Sequence, residues 1–188
     1  MHDVVETIII PDIVEIIGEW AFAWTDTENS PGDPGYITST LAHVEIPNSV
    51  ITIGRGAFYY CVSLTNITIP DSVETIGDNA FNTCVRVNSI NLGNGVHTIG
   101  ESAFSTVGVF AEFSEPFVIT IPNSIDTIGN WAFAYGSYDE VYFEGTPTNI
   151  DEYVFAEPGD LLIFVPWSEG EVANAPWGAN EVIYNYTE

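Results

Sequence analysis

Cys61 and Cys84 are the residues best placed for covalent chemistry. They are the only cysteines in the chain, and each stands fourteen residues after a proline, Pro47 or Pro70, inside matching sequence. In a stacked structure such equivalent positions are neighbours, and strand-type stacking at about 4.7–4.9 Å would put the two α-carbons within the roughly 4.4–6.8 Å that a disulfide needs. A buried cysteine also behaves as a small apolar residue, which favours two free thiols. The count alone assigns no redox compartment. A second candidate lies in the stretch 25–36, where Asp26, Glu28, Asn29 and Asp33 offer hard oxygen ligands of the kind calcium takes. Their spacing is not that of an EF-hand, and a solvated turn is the simpler reading. Enzyme chemistry finds little else. His2, His43 and His97 fall far apart, so no three-histidine metal site forms. There is no G-x-S-x-G elbow and no phosphate-cradling glycine loop. A glycosidase would need two carboxylates facing each other across a cleft, and a thin repeated structure provides no obvious one. No cofactor is implied.

The elements that must position these residues are copies of one unit, seen most plainly at Ile67-Thr-Ile-Pro-Asp-Ser-Val-Glu-Thr-Ile-Gly-Asp-Asn-Ala-Phe-Asn-Thr-Cys84. With Pro70 as reference, apolar residues precede it by six, three and one, and Ile76, Gly77, Ala80 and Phe81 follow at six, seven, ten and eleven. The pattern recurs around Pro11, Pro47, Gly93, Pro122 and Glu144, placing Phe22, Phe58, Phe81, Phe104, Phe133 and Phe155 at one offset and Gly18, Gly54, Gly77, Gly100 and Gly129 at another. Its strand half recurs once more before Pro166. Alternating β-branched residues before the reference predict a strand, and proline followed by Asp/Asn-Ser predicts a turn. A second short extended piece follows. The glycine either takes a positive φ or permits close approach of the next coil, and x-x-Ala-Phe predicts one helical turn. Regular spacings are 22 or 23 residues. The two longer ones, 36 and 29, place insertions near 25–40 and 107–116, both after the turn segment and before the next strand.

The run Leu-Thr-x-Ile-Thr-Ile-Pro-Asp-Ser-Val-x-x-Ile-Gly-x-x-Ala-Phe-x-x-Cys resembles the BspA-like (Treponema pallidum type) leucine-rich repeat family, over nearly the whole chain. Phe164-Val-Pro-Trp and Ala175-Pro-Trp-Gly resemble the segment that closes such arrays. The resemblance implies a mainly β, right-handed leucine-rich-repeat solenoid with short helical turns. It would comprise about six repeats over 1–166 and a capping segment over 167–188 that buries Trp177 and Ile183. It also implies a surface-exposed, non-enzymatic binding or adhesion module with no catalytic residues.

Charge narrows the partners. Against 27 acidic residues stand only Arg55 and Arg86, a formal net charge of −25, and a phosphate backbone needs clustered cations. Nucleic acid is excluded, whereas a protein ligand or further copies of the same chain remain. No stretch approaches the eighteen to twenty apolar residues of a membrane-spanning helix, and the first residues do not form a signal peptide. The setting that the resemblance implies is extracellular, at a cell surface or on a virion. Two patches are expected to carry recognition. One comprises Tyr142, Leu162 and Phe164 on the outward strand face, which either stands exposed or lies under the closing segment. The other comprises Phe110 and Phe113 in the second insertion. An alternative role is a self-assembling structural subunit, possibly calcium-dependent, joined through the first coil, where Ile8, Ile10 and Phe22 lack a capping unit.

Overall fold

The computed structural model describes residues 5–23, 39–157, 159–171 and 175–187. Among them fourteen short parallel strands wind into stacked coils. Strands leading into the hinge position are β1 (Thr7–Ile9), β3 (His43–Glu45), β5 (Asn66–Thr68), β7 (Ser89–Asn91), β9 (Val118–Ile121), β11 (Glu140–Phe143) and β13 (Leu162–Phe164). Two-residue strands follow it: β2 (Ile16–Ile17), β4 (Thr52–Ile53), β6 (Thr75–Ile76), β8 (Thr98–Ile99), β10 (Thr127–Ile128) and β12 (Asn149–Ile150). The last strand, β14 (Glu181–Ile183), belongs to the closing segment.

The short strands form one uninterrupted six-stranded sheet in which Ile17, Ile53, Ile76, Ile99, Ile128 and Ile150 stand in register on the core side. On the outward side run Ile16, Thr52, Thr75, Thr98, Thr127 and Asn149. The leading strands divide into three sheets, β1-β3, β5-β7 and β9-β11-β13-β14. A polar hollow of about 370 Å³ opens where β7 and β9 are not paired, lined in part by Asn91, Asn94, Thr120 and Glu144.

The predicted helical turn is instead a chain of β-turns. Ala80 N–H donates to Gly77 O, Asn82 to Asn79 and Cys84 to Phe81, all three residues back. The intervening amides of Asn79, Phe81 and Thr83 donate outward, to Glu101, Ala103 and Ser105 of the next coil. A helix would spend those donors internally, whereas the observed turns spend them joining coils. Type II turns require a positive φ at their third residue, and Asn79 (56°) and Thr83 (62°) supply it. The conserved-offset glycines are therefore not the left-handed residues. Of the two roles open to Gly77, the structure shows close approach: a Cβ there would stand 2.7 Å from the Arg55 amide nitrogen of the preceding coil. Gly18, in the first coil, meets nothing.

Within this frame the phenylalanines form a column. Successive rings from Phe22 to Phe155 lie 5.0 to 5.5 Å apart and within 17° of parallel. The amide of each donates to the residue at the alanine offset in the following coil, for example Phe81 to Ala103 at 2.8 Å. Both insertions leave the column intact, since Phe22 to Phe58 and Phe104 to Phe133 keep the common spacing.

At the C-terminal end the closing segment continues the ladders. β14 pairs with β13, and Trp177, fully buried, accepts the Phe155 amide at 2.9 Å where a further alanine would stand. Ile183 is only half-buried. Among the described residues nothing covers the first coil in this way: Phe22 is half-buried and stacks on Phe58 from one side, whereas Phe155 is fully buried. Truncating a buried phenylalanine costs about 3–5 kcal/mol through lost burial and the cavity left behind. Phe81→Ala, with a ring on each side, should lose that full amount in chemical denaturation, Phe155→Ala nearly as much because Trp177 closes over it, and Phe22→Ala clearly less. Equal losses at Phe22 and Phe81 would contradict a column built from neighbour contacts.

Candidate binding surface

The outward face of the leading strands changes character along the array. His43, Glu45, Thr68, Ser89 and Asn91 are exposed and polar, with Asn66 half-buried among them. In the last sheet, strand pairing places Thr120, Tyr142, Phe164 and Ile183 in one column and Val118, Glu140, Leu162 and Glu181 in the next. Tyr142 and Phe164 stack with centroids 4.4 Å apart and planes within 6°. Tyr186 packs across both, at 5.2 and 5.3 Å, anchored by its backbone N–H, which donates to Val165 O at 2.9 Å. The Tyr142 hydroxyl donates to Glu140 Oε2 at 2.8 Å. Beside this cluster lies an open hollow of about 280 Å³ bounded by Tyr142, Phe143, Glu144, Pro166, Tyr186 and Thr187.

The closing segment therefore frames the aromatic stack without hiding it. Tyr142, Leu162 and Phe164 remain half-buried, and Tyr186, in the part of the chain that has lost the repeat, joins them unanticipated. The structure does not bring Phe110 and Phe113 to this cluster. Their loop leaves before β9 begins. Phe113 stacks on the buried Phe117 at 5.1 Å, and Phe110 projects with 75% of its surface exposed. Asp26, Glu28, Asn29 and Asp33 lie outside the described residues. Among the described residues no three His, Cys, Asp or Glu side chains gather as a metal site would require.

The two cysteines are free and buried. Each thiol donates to a phenylalanine carbonyl one coil back, Cys61 to Phe22 at 3.3 Å and Cys84 to Phe58 at 3.4 Å. Burial pushes the Cys61 thiol up to about 11, with a hydrogen bond from Ser39 opposing slightly. Burial raises Cys84 well above its ordinary value, and the neighbouring Cys61 adds to the shift. Their role is packing, since a nucleophile or metal ligand needs the thiolate.

A stacked array of parallel coils with one phenylalanine recurring at the same offset in each coil defines a leucine-rich-repeat solenoid. The family model for the BspA type Leucine rich repeat region matches residues 35–161 in six copies, and the chain belongs to that family. Its fold is similar to the crystal structure of the T. pallidum leucine-rich repeat protein, with TM-score 0.59 and 20% identity over 96% of this chain and 70% of that one. A leucine-rich repeat protein from Bacteroides ovatus also matches, with TM-score 0.41 and 20% identity over 96% and 61%. A search of curated proteins found no match. Leucine-rich-repeat domains generally bind proteins, such solenoids are typically non-enzymatic, and BspA-like members are often surface-associated. Among the described residues no helix is long and apolar enough to cross a membrane.

The raised thiols predict an alkaline instability. Below pH 9 folded and unfolded chains both hold their thiol protons, so the burial costs nothing through ionisation. As pH rises from 9.0 towards about 11 only the unfolded chain releases the Cys61 proton, and folding stability falls. Denaturant midpoints should be flat from neutral pH to about 9 and drop above it, and the drop should shrink in a Cys61→Ala, Cys84→Ala double variant. An identical drop in that variant would assign the instability to other groups.

Proposed function

We propose that this chain is a non-enzymatic binding module displayed outside a cell or on a virion, which adheres by recognising protein through its outward strand face. The observation that carries this reading is the Tyr142–Phe164–Tyr186 cluster, a preformed aromatic surface at the end of an otherwise polar face. Aromatic side chains supply most hot-spot energy at protein interfaces and lose little conformational freedom when they do so. Leu162 extends the patch, while Phe110 and Phe113 give a second contact on the rim of the solenoid.

Threonine already occupies the Tyr142 column at Thr68 and Thr120, so Tyr142→Thr with Phe164→Thr should leave the fold intact. Beads coated with the chain and overlaid on cultured cell monolayers should be retained, and the double variant should lower retention by more than about tenfold, the factor expected when hot-spot side chains are removed. Undiminished retention would refute recognition through this face.

A second reading rests on the first coil. Among the described residues β1 and β2 pair on one side only, and Ile8, Ile10, Ile17 and Phe22 help to line an apolar hollow of about 220 Å³ between them. Ile9 and Ile16 stand 68% and 65% exposed where the next coil presents Glu45 and Thr52. Open strand edges pair readily, which supports a structural subunit that associates through this end. Light scattering would then give a molar mass above the monomer that falls to the monomer in Ile9→Thr, Ile16→Thr. A monomeric parent chain would remove this reading.

A further inference from the structure

The turn ladder carries a second aromatic surface, remote from the strand face and independent of the reading above. Its outward columns lie nine and thirteen residues after the hinge. In the third and fourth coils they hold Asn79, Thr83, Ser102 and Thr106, small polar residues suited to the positive φ that all four adopt, whereas the second coil has Gly56 and Tyr60. The fifth coil instead places Trp131 (φ 56°) and Tyr135 (φ 58°) there, and the sixth places Tyr153 beside Trp131, their backbones joined by Trp131 N–H to Tyr153 O at 3.2 Å. The three side chains are 40%, 52% and 47% exposed. Bulky residues are rare in left-handed backbone, and among the described residues no aromatic ring or cation stacks on the Trp131 or Tyr135 ring, as Arg55 and Tyr59 do on Trp20.

The chain shows what an aromatic ring in this column accepts. Trp20 is the first-coil equivalent of Trp131, and there the next coil supplies Arg55, whose guanidinium lies 5.9 Å from the ring centroid. Gly56 clears space beneath the ring, since a Cβ would stand 2.2 Å from it, and Tyr59 meets its edge at 5.7 Å. At Trp131 the corresponding residues of the next coil are Glu152, Tyr153 and Ala156. An acid replaces the base. The Glu152 carboxylate hydrogen bonds to Tyr153 and raises its phenol, while Glu157 borders the same coil. The cation is thus missing, and the local charge favours one arriving from outside.

From this geometry we infer that Trp131, Tyr135, Tyr153 and Glu152 form a docking site for an arginine- or lysine-bearing peptide segment. Guanidinium and ammonium groups bind aromatic faces within about 6 Å, and a carboxylate beside the ring adds a charge-assisted hydrogen bond. The formal charge of −25 steers basic partners towards the chain as a whole, whereas the aromatic rings select where they settle.

Because the net charge alone attracts any polycation, the test must remove the rings without altering charge. Trp131→Ser with Tyr135→Thr does so, installing the residues that Ser102 and Thr106 already place in these columns. The probe is an acetylated, amidated hexa-arginine peptide, with its citrulline counterpart as the neutral control, in calorimetric titrations at about 0.15 M ionic strength, where surface charges are screened beyond about 8 Å. The parent chain should bind the arginine peptide and ignore the citrulline one. The double variant should bind about tenfold more weakly, equivalent to about 1.4 kcal/mol, and Tyr142→Thr on the strand face should match the parent. Glu152→Arg should fill Trp131 from within, as Arg55 fills Trp20, and block the peptide. Equal affinity in the parent and double variant would overturn the site and leave only net charge. No binding by the parent would overturn it as well. Loss in the double variant of a neutral oligosaccharide bound by the parent, with the arginine peptide unaffected, would replace it with a sugar platform.

Discussion

Every coil of this protein satisfies its backbone and its core through the coils beside it. Amides of the paired strands and alternate amides of the turn segment reach a neighbouring coil, and the phenylalanine at the end of each short strand's turn rests on the one before. A single coil could bury neither. This one dependence dictates the repeated residues. Glycine at Gly54, Gly77, Gly100 and Gly129 lets successive backbones touch, with a Cβ at Gly100 meeting the Asp78 amide nitrogen at 2.5 Å. Alanine at Ala57, Ala80, Ala103 and Ala132 is fully buried beneath the ladder, where a longer side chain would hold the coils apart. Phenylalanine then fills the space that remains.

With the inward positions so constrained, the outward columns are free, and the chain varies there. The middle coils present short polar groups, and the last three present aromatic ones on two separate faces. Tyr142 and Phe164 face out from the leading strands, and Trp131, Tyr135 and Tyr153 from the turn ladder. Because each position is fixed by a buried residue one or two places away, these surfaces are formed before any partner arrives. Preformed surfaces lose less entropy on binding, which suits a module that works by contact alone. The ends differ for the same reason. Trp177 substitutes for a missing seventh coil, while nothing among the described residues does the same for Phe22.

The fold was legible in the sequence because a repeat announces itself. A fixed offset for six phenylalanines leaves few architectures, and the outward strand columns followed from counting back from the hinge. The turn segment was misjudged as helical because alanine favours a helix locally. What the sequence could not reveal is that alternate amides leave the coil to bond its neighbour. Tyr186 was missed because the closing segment carries no repeat to count from. The turn-face aromatics were missed although their signal was present: Trp131 and Tyr135 follow two coils that hold Asn79, Thr83, Ser102 and Thr106 in the same columns. Reading that signal required knowing that those columns face outward with positive φ. For the oxygen-rich stretch holding Asp26 and Asp33, only the sequence speaks.

The central claim is that stability passes between adjacent coils through the phenylalanine column, and a double-mutant cycle tests it most directly. Phe58 and Phe81 stack at 5.0 Å, whereas Phe58 and Phe133 are separated by two intervening rings. Replacing each by leucine, singly and in pairs, and measuring unfolding free energies isolates the interaction in each pair. The account predicts a coupling of about 0.5–1.5 kcal/mol for the adjacent pair, the range for stacked aromatic rings, and additivity within about 0.5 kcal/mol for the distant pair. Equal coupling in both pairs, or none in either, would mean that the rings fill space independently and that the column does not hold the coils together.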